Sequence, residues 1–70
     1  MKNNKIPRKF NLIVGKMLID TNVNKANDIV HISKNDYGDY SMFNTRTKGK
    51  AHMFISMLRN SEIFELISID

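Results

Sequence analysis

The side chains able to perform covalent chemistry are few and scattered in this sequence. Nucleophilic hydrolysis needs a Ser or Cys beside a His base that a carboxylate orients. Asp28, His31 and Ser33 supply the residue types. Yet His31 and Ser33 read as two same-face residues of one strand, and no nucleophile-elbow motif accompanies them. Loops that cradle phosphate need several closely spaced glycines, whereas Gly15, Gly38 and Gly49 stand far apart. Cysteine is absent, which removes thiolate zinc sites and disulfides. His31 and His52 are 21 residues apart, and neither has HxxxH or HxE spacing. These residues predict a protein that is not an enzyme and has neither catalytic residues, metal nor cofactor.

Charge is the more informative chemistry. The chain carries a net charge of +4, unevenly placed. Lys2, Lys5, Arg8, Lys9 and Lys16 precede any acid, whereas Glu62, Glu65 and Asp70 close the chain with no base nearby. A basic arm attracts nucleic acid or an acidic protein surface. Arg46, Lys48 and Lys50 cluster at an expected helix start, where free backbone N–H groups also favour anions. On that helix, Lys48, His52 and Arg59 fall within about 40° of one another. Arg8, Lys9, Arg46, Lys48, Lys50, His52 and Arg59 are therefore the candidate nucleic-acid-binding residues.

Aromatic and apolar residues give a second candidate surface. Tyr37 and Tyr40 flank Gly38-Asp39, with Phe43 just beyond. Exposed tyrosines stack on unpaired bases or anchor protein interfaces. Packing across the strands, with Phe43 in the core, is the alternative. Near the C-terminal end, Ile63, Glu65 and Ile67 lie on a run that would invite strand addition from a partner or a second copy if it formed a sheet edge. Tyr37, Tyr40, Ile63, Glu65 and Ile67 are the candidate partner-binding residues. Asp39 stands where an RNA-recognition octapeptide needs an aromatic, so that family is rejected.

The elements that must position these groups follow from periodicity. Residues 1–8 are polar, contain Pro7, and predict a flexible basic arm. Residues 9–70 predict one domain. KFNLIVGKMLID (9–20) reads as a strand with a bulge or kink at Gly15. DIVHISK (28–34) alternates as a second strand, NDYGD (35–39) is a hairpin signal, and Tyr40 to Thr45 form a third strand. Residues 47–60 predict a helix, with Ala51, Phe54, Ile55 and Leu58 at the spacing of one buried stripe and Thr45 or Thr47 as N-cap. The stripe loses phase at Asn60-Ser61, so EIFELISID predicts a fourth strand, with a second short helix as the alternative. The expected architecture is α+β: a two-layer β-β-β-α-β fold, with an antiparallel sheet and one helix packed on one face.

Length sets the scale. Seventy residues form one domain at most. A chain of this size buries only roughly 60% of its unfolded surface. No apolar run reaches the roughly 20 residues that span a bilayer, and a cysteine-free chain fits a reducing cytoplasm. Asn, Lys and Ile supply 26 of the 70 residues, a bias toward A/T-rich codons that suits the genomes of many phages and some bacteria.

Taken in order, KFNLIVGKMLID, DIVHISK, YSMFNT, AHMFISMLRN and IFELISID resemble the small phage-encoded antitoxins that block a host RNase toxin, the discriminator of mRNA degradation of T4-like phages. The resemblance covers most of residues 9–70 and lies in pattern, length and composition. It carries no functional residue across. It implies a phage early protein in the host cytoplasm that binds and neutralises a host toxin or defence nuclease, or the RNA such a system uses. The basic arm and helix start depart from that pattern and favour RNA or DNA as the alternative partner. A homodimer through the last strand is the third expectation.

Overall fold

Two-residue alternation builds most of the molecule. The computed structural model describes residues 3–34 and 39–70. It contains β1 (Ile13–Met17), β2 (Ile29–Lys34), β3 (Tyr40–Asn44), β4 (Lys50–Met53), α1 (Ile55–Arg59) and β5 (Phe64–Ile69). The strands form one sheet in the order β4-β3-β2-β1-β5, and every neighbouring pair is antiparallel. An antiparallel sheet with one helix is thus present, as the sequence predicts, and its first three strands form the expected meander.

One face of the sheet makes the core. Ile13 and Met17 of β1, Val30 and Ile32 of β2, Met42 of β3, Met53 of β4 and Phe64 of β5 are buried there. Leu58 of α1 joins them, with Ile6, Phe10, Ile55 and Ile63 packed around the margin. Intervening residues point to the other face, because successive side chains of a strand alternate.

The main correction concerns residues 47–60. Their first half is a strand: β4 pairs with β3 through Phe43↔Lys50, Met42↔Ala51, Ser41↔His52 and Tyr40↔Met53. Local hydrogen bonding decides this. The Asn44 side-chain oxygen accepts from the Arg46 and Thr47 N–H groups at 2.8 and 3.2 Å. Lys48 adopts φ 63°, and Thr47 Oγ1 accepts from the Gly49 N–H at 3.1 Å. Asn44 and Gly49 then close a hairpin, so the turn replaces the expected helix start. Thr45 caps no helix; its hydroxyl donates to the Ile29 carbonyl at 2.8 Å. The helix is a single turn that begins after Phe54, which is 73% exposed instead of lying on a buried stripe. The order is therefore β-β-β-β-α-β, and the sheet has one strand more than expected.

The expected irregularity at Gly15 is present. Pairing between β1 and β5 shifts register between Val14 and Gly15, and the extra residue is Ile67 of β5. Residues 3–6, expected within a loose arm, are held against the end of α1. The Asn4 N–H donates to the Arg59 carbonyl at 2.8 Å, and its Nδ2 donates to the Leu58 and Phe64 carbonyls at 2.9 and 2.6 Å. Asn3 bridges to Asn60.

Candidate nucleic-acid interface

The face of the sheet opposite the core carries the first site. His31 lies directly across from Phe43, and Phe43 from Lys50, while Val14 continues the row on the other side of His31. Adjacent strands lie about 4.8 Å apart, so this row runs about 14 Å across the sheet. The His31 and Phe43 rings are 6.4 Å apart and tilted by 49°. Both are half-buried. His52 sits across from Ser41 on the same face, one row away. At the other end, Lys16 lies across from Glu65 and holds it at 3.7 Å. Aromatic rings beside a cation such as Lys50 can stack unpaired bases and hold a phosphate next to them.

Strand parity creates this arrangement. Val30 and Ile32 are buried, which sends His31 outward; Met42 and Asn44 are buried, which sends Phe43 outward. Sequence reading left Phe43 between core and surface because YSMFN has apolar residues on both parities. The burial of Asn44 resolves it. His31, which drew notice only as a weak general base, is the neighbour that completes the platform.

A second basic site lies at the end of the sheet. Arg8, Lys9, Phe10, Asn11, Lys34 and Asp70 line an open groove of about 660 Å³. Phe10 stacks on Tyr40 at 5.9 Å with 9° between planes. The Lys34 ammonium sits 5.7 Å from the Tyr40 ring centroid. Tyr40 is thus half-buried in an aromatic stack. Tyr37 lies outside the described residues.

Arg46 lies at neither site; its guanidinium is engaged by Asp28. Its Nε and Nη2 donate to the two Asp28 oxygens at 2.6 and 2.8 Å. Asp28 also accepts from the Lys25 N–H at 2.9 Å and from Asn44 Nδ2 at 2.8 Å. Asn44 Nδ2 further donates to Asn24 Oδ1 at 2.7 Å. The network ties the β1–β2 loop to the β3–β4 hairpin and leaves each buried polar atom partnered. The Arg46 guanidinium, with the Lys25 N–H and the Asn44 amide, holds the Asp28 carboxyl well below the usual carboxylate range. Asp28 is thereby engaged and buried, whereas His31 and Ser33 lie on the open face.

The sign of the resulting pH effect follows. Asp28 titrates lower when folded than when unfolded, so its stabilisation is fully present above about pH 4. It is lost as pH falls through that value toward the folded pKa. Melting temperatures between pH 2 and 7 should fall on the acid side, and Asp28→Asn should be less stable at pH 7 yet flatter below pH 4. Parallel curves for the two proteins would exclude this role.

No family model, curated protein or solved structure matches the chain.

The remaining candidates are dispersed. Lys48 lies in the β3–β4 turn and His52 in β4, while Arg59 is exposed at the end of α1. The single helical edge expected for these three does not form, because they occupy three different elements. Lys50 and His52 reach the open face through β4. At the sheet edge, Glu65 and Ile67 are exposed, whereas Ile63 packs against the core. Among the described residues, no group of three His, Asp or Glu could hold a metal ion. No helix among them is long and apolar enough to cross a membrane.

Proposed function

We propose that this chain is a non-catalytic nucleic-acid-binding protein that takes a single strand of RNA or DNA across its open sheet face. The observation that carries this reading is the His31–Phe43 ring pair, half-buried on that face and bordered by Lys50 and His52. Base faces are accessible only in an unpaired strand, so stacking selects single strands over duplex. The net charge of +4 supports a polyanionic partner.

Fluorescence anisotropy with labelled oligonucleotides tests the reading. Affinity should fall as salt rises, because bound phosphates release counterions. Phe43→Ala should weaken binding by about tenfold, since stacking one base contributes roughly 1–3 kcal/mol. Lys48→Glu with Lys50→Glu should weaken it further and flatten the salt slope. Unchanged affinity and slope in both variants would end the reading.

A second reading keeps the antitoxin-like inhibitor, a phage protein that blocks a host toxin or defence nuclease in the host cytoplasm. It is favoured by the outer edge of β5, the last strand of the sheet, where Ile67 bulges outward and is 51% exposed. Such an edge accepts a strand from a partner or from a second copy. Affinity purification from a bacterial host should then recover a protein in stoichiometric amount, lost in Ile67→Lys. Recovery of nucleic acid alone favours the first reading, and a concentration-dependent sedimentation coefficient would identify the homodimer.

A further inference from the structure

We propose that the groove at the end of the sheet is a separate site for a nucleoside carrying a phosphate monoester. Its residues are distinct from those of the open face, so it stands independently of that reading. The groove holds about 660 Å³, within the range of small-molecule sites. Three cationic side chains, Arg8, Lys9 and Lys34, line it together with one acid, Asp70. The side-chain balance there is two positive charges (three minus one). A phosphate monoester carries about −1.5 to −2 at pH 7. The groove is therefore cationic in its side chains and suits an anionic phosphate.

Two of the lining groups are already placed. The Lys34 ammonium donates to the Arg8 carbonyl at 3.2 Å and rests over the Tyr40 ring. It reaches a ligand with less ordering cost than a freely rotating lysine. Phe10 is fixed by its stack on Tyr40 while also lining the groove, so it offers apolar surface to a base. Asp70 is held by backbone bonds with Asn11 and Leu12 at 2.7 to 3.2 Å. Its carboxylate supplies an acceptor for ribose hydroxyls beside the cations. An inorganic ion would use the cations alone; a nucleoside monophosphate uses all three features. Such a group arrives either as a free nucleotide or as the phosphorylated end of a strand.

Calorimetric titration of the full chain tests the proposal, with adenosine 5′-monophosphate, adenosine and inorganic phosphate as probes. The monophosphate should bind at least about tenfold more tightly than either fragment. Lys34→Gln and Arg8→Gln should each weaken it by about tenfold, because each removes a charge-assisted contact. Phe43→Ala should leave it unchanged. Competition between the free nucleotide and a 5′-phosphorylated oligonucleotide then identifies the source: stronger competition by the oligonucleotide marks a strand end, stronger competition by the nucleotide a free ligand. Equal binding of the monophosphate and adenosine, or of the monophosphate and inorganic phosphate, overturns the proposal. Insensitivity to Arg8→Gln also overturns it; Arg8 and Lys34 are both exposed, so both variants keep the fold. Oligonucleotide binding that depends on Phe43, with no monophosphate binding, would remove this site and leave the sheet-face reading intact.

Discussion

Gly15→Ala should cost this domain a large part of its stability. The position a Cβ would occupy is filled by the Phe64 ring, and the Glu65 carbonyl lies 2.8 Å from it. Phe64 is fully buried and cannot swing into solvent to make room. The Glu65 carbonyl belongs to the backbone of the paired strand, so it gives way only if β1 and β5 separate. Overpacking of this kind costs about 1–3 kcal/mol, and more where backbone must move. A domain of 70 residues has a total stability of roughly 4–10 kcal/mol. Each kcal/mol shifts the melting temperature of so small a domain by about 4–8 °C. Thermal melts of Gly15→Ala should therefore show a large drop. Adding Phe64→Leu should restore part of it, and the double-mutant cycle should give a favourable coupling. Additive losses would mean that Phe64 is not what excludes the methyl group.

Leu58→Ala should be comparably damaging, for a different reason. α1 is a single turn, too short to be stable alone. Leu58 is its one buried residue and sits in the centre of the core cluster. Its N-cap, Phe54, makes no side-chain capping bond. Removing the isobutyl group leaves a cavity and costs about 2–5 kcal/mol. The effect should spread to the segment fastened to the helix, because Asn4 bonds the carbonyls of Leu58, Arg59 and Phe64. Urea denaturation should show the loss of stability, and amide exchange should show α1 and Asn4 losing protection together. A loss below about 1 kcal/mol would show that the site collapses without a cavity.

Particular residues show where sequence reasoning reached and where it stopped. The alternation in DIVHISK was legible because only one parity is strongly apolar, and β2 follows it. EIFELISID was legible as a strand because a continued helix would have buried Glu62; β5 occupies Phe64–Ile69. The stretch from Thr47 to Asn60 misled because Ala51, Phe54, Ile55 and Leu58 carry a helical spacing by coincidence. Ala51 belongs to β4, and Phe54 is exposed. The overlooked signal was the run from Asn44 to Gly49, a side-chain-bonded turn that ends in glycine. Apolar spacing cannot rank such a turn against a helical stripe, because the decision rests on hydrogen bonds to the Asn44 and Thr47 side chains and on pairing with β3, which that spacing does not report.

The candidate sites divide in the same way. Arg8, Lys9 and Lys50 were visible as basic residues, and their placement at the groove and on the open face keeps them available. Arg46 was equally visible, yet tertiary structure commits it to Asp28, 18 residues earlier. Lys34 and Phe10 drew no attention in sequence, because one lies at the end of a strand and the other before one. Folding joins them at a single groove.

The sequence by itself therefore determined the absence of cysteine chemistry, the basic balance, the β-strand parity of the clearest segments and the expectation of an irregularity at Gly15. These depend on composition and on neighbours in the chain. Tertiary structure alone decided that Phe43 and His31 share an open face, that Arg46 is paired with Asp28, and that Arg8, Lys9 and Lys34 gather at a groove apart from Lys50 on the open face. Each of these depends on which strands lie side by side, and strand neighbours are set by packing between residues far apart in sequence.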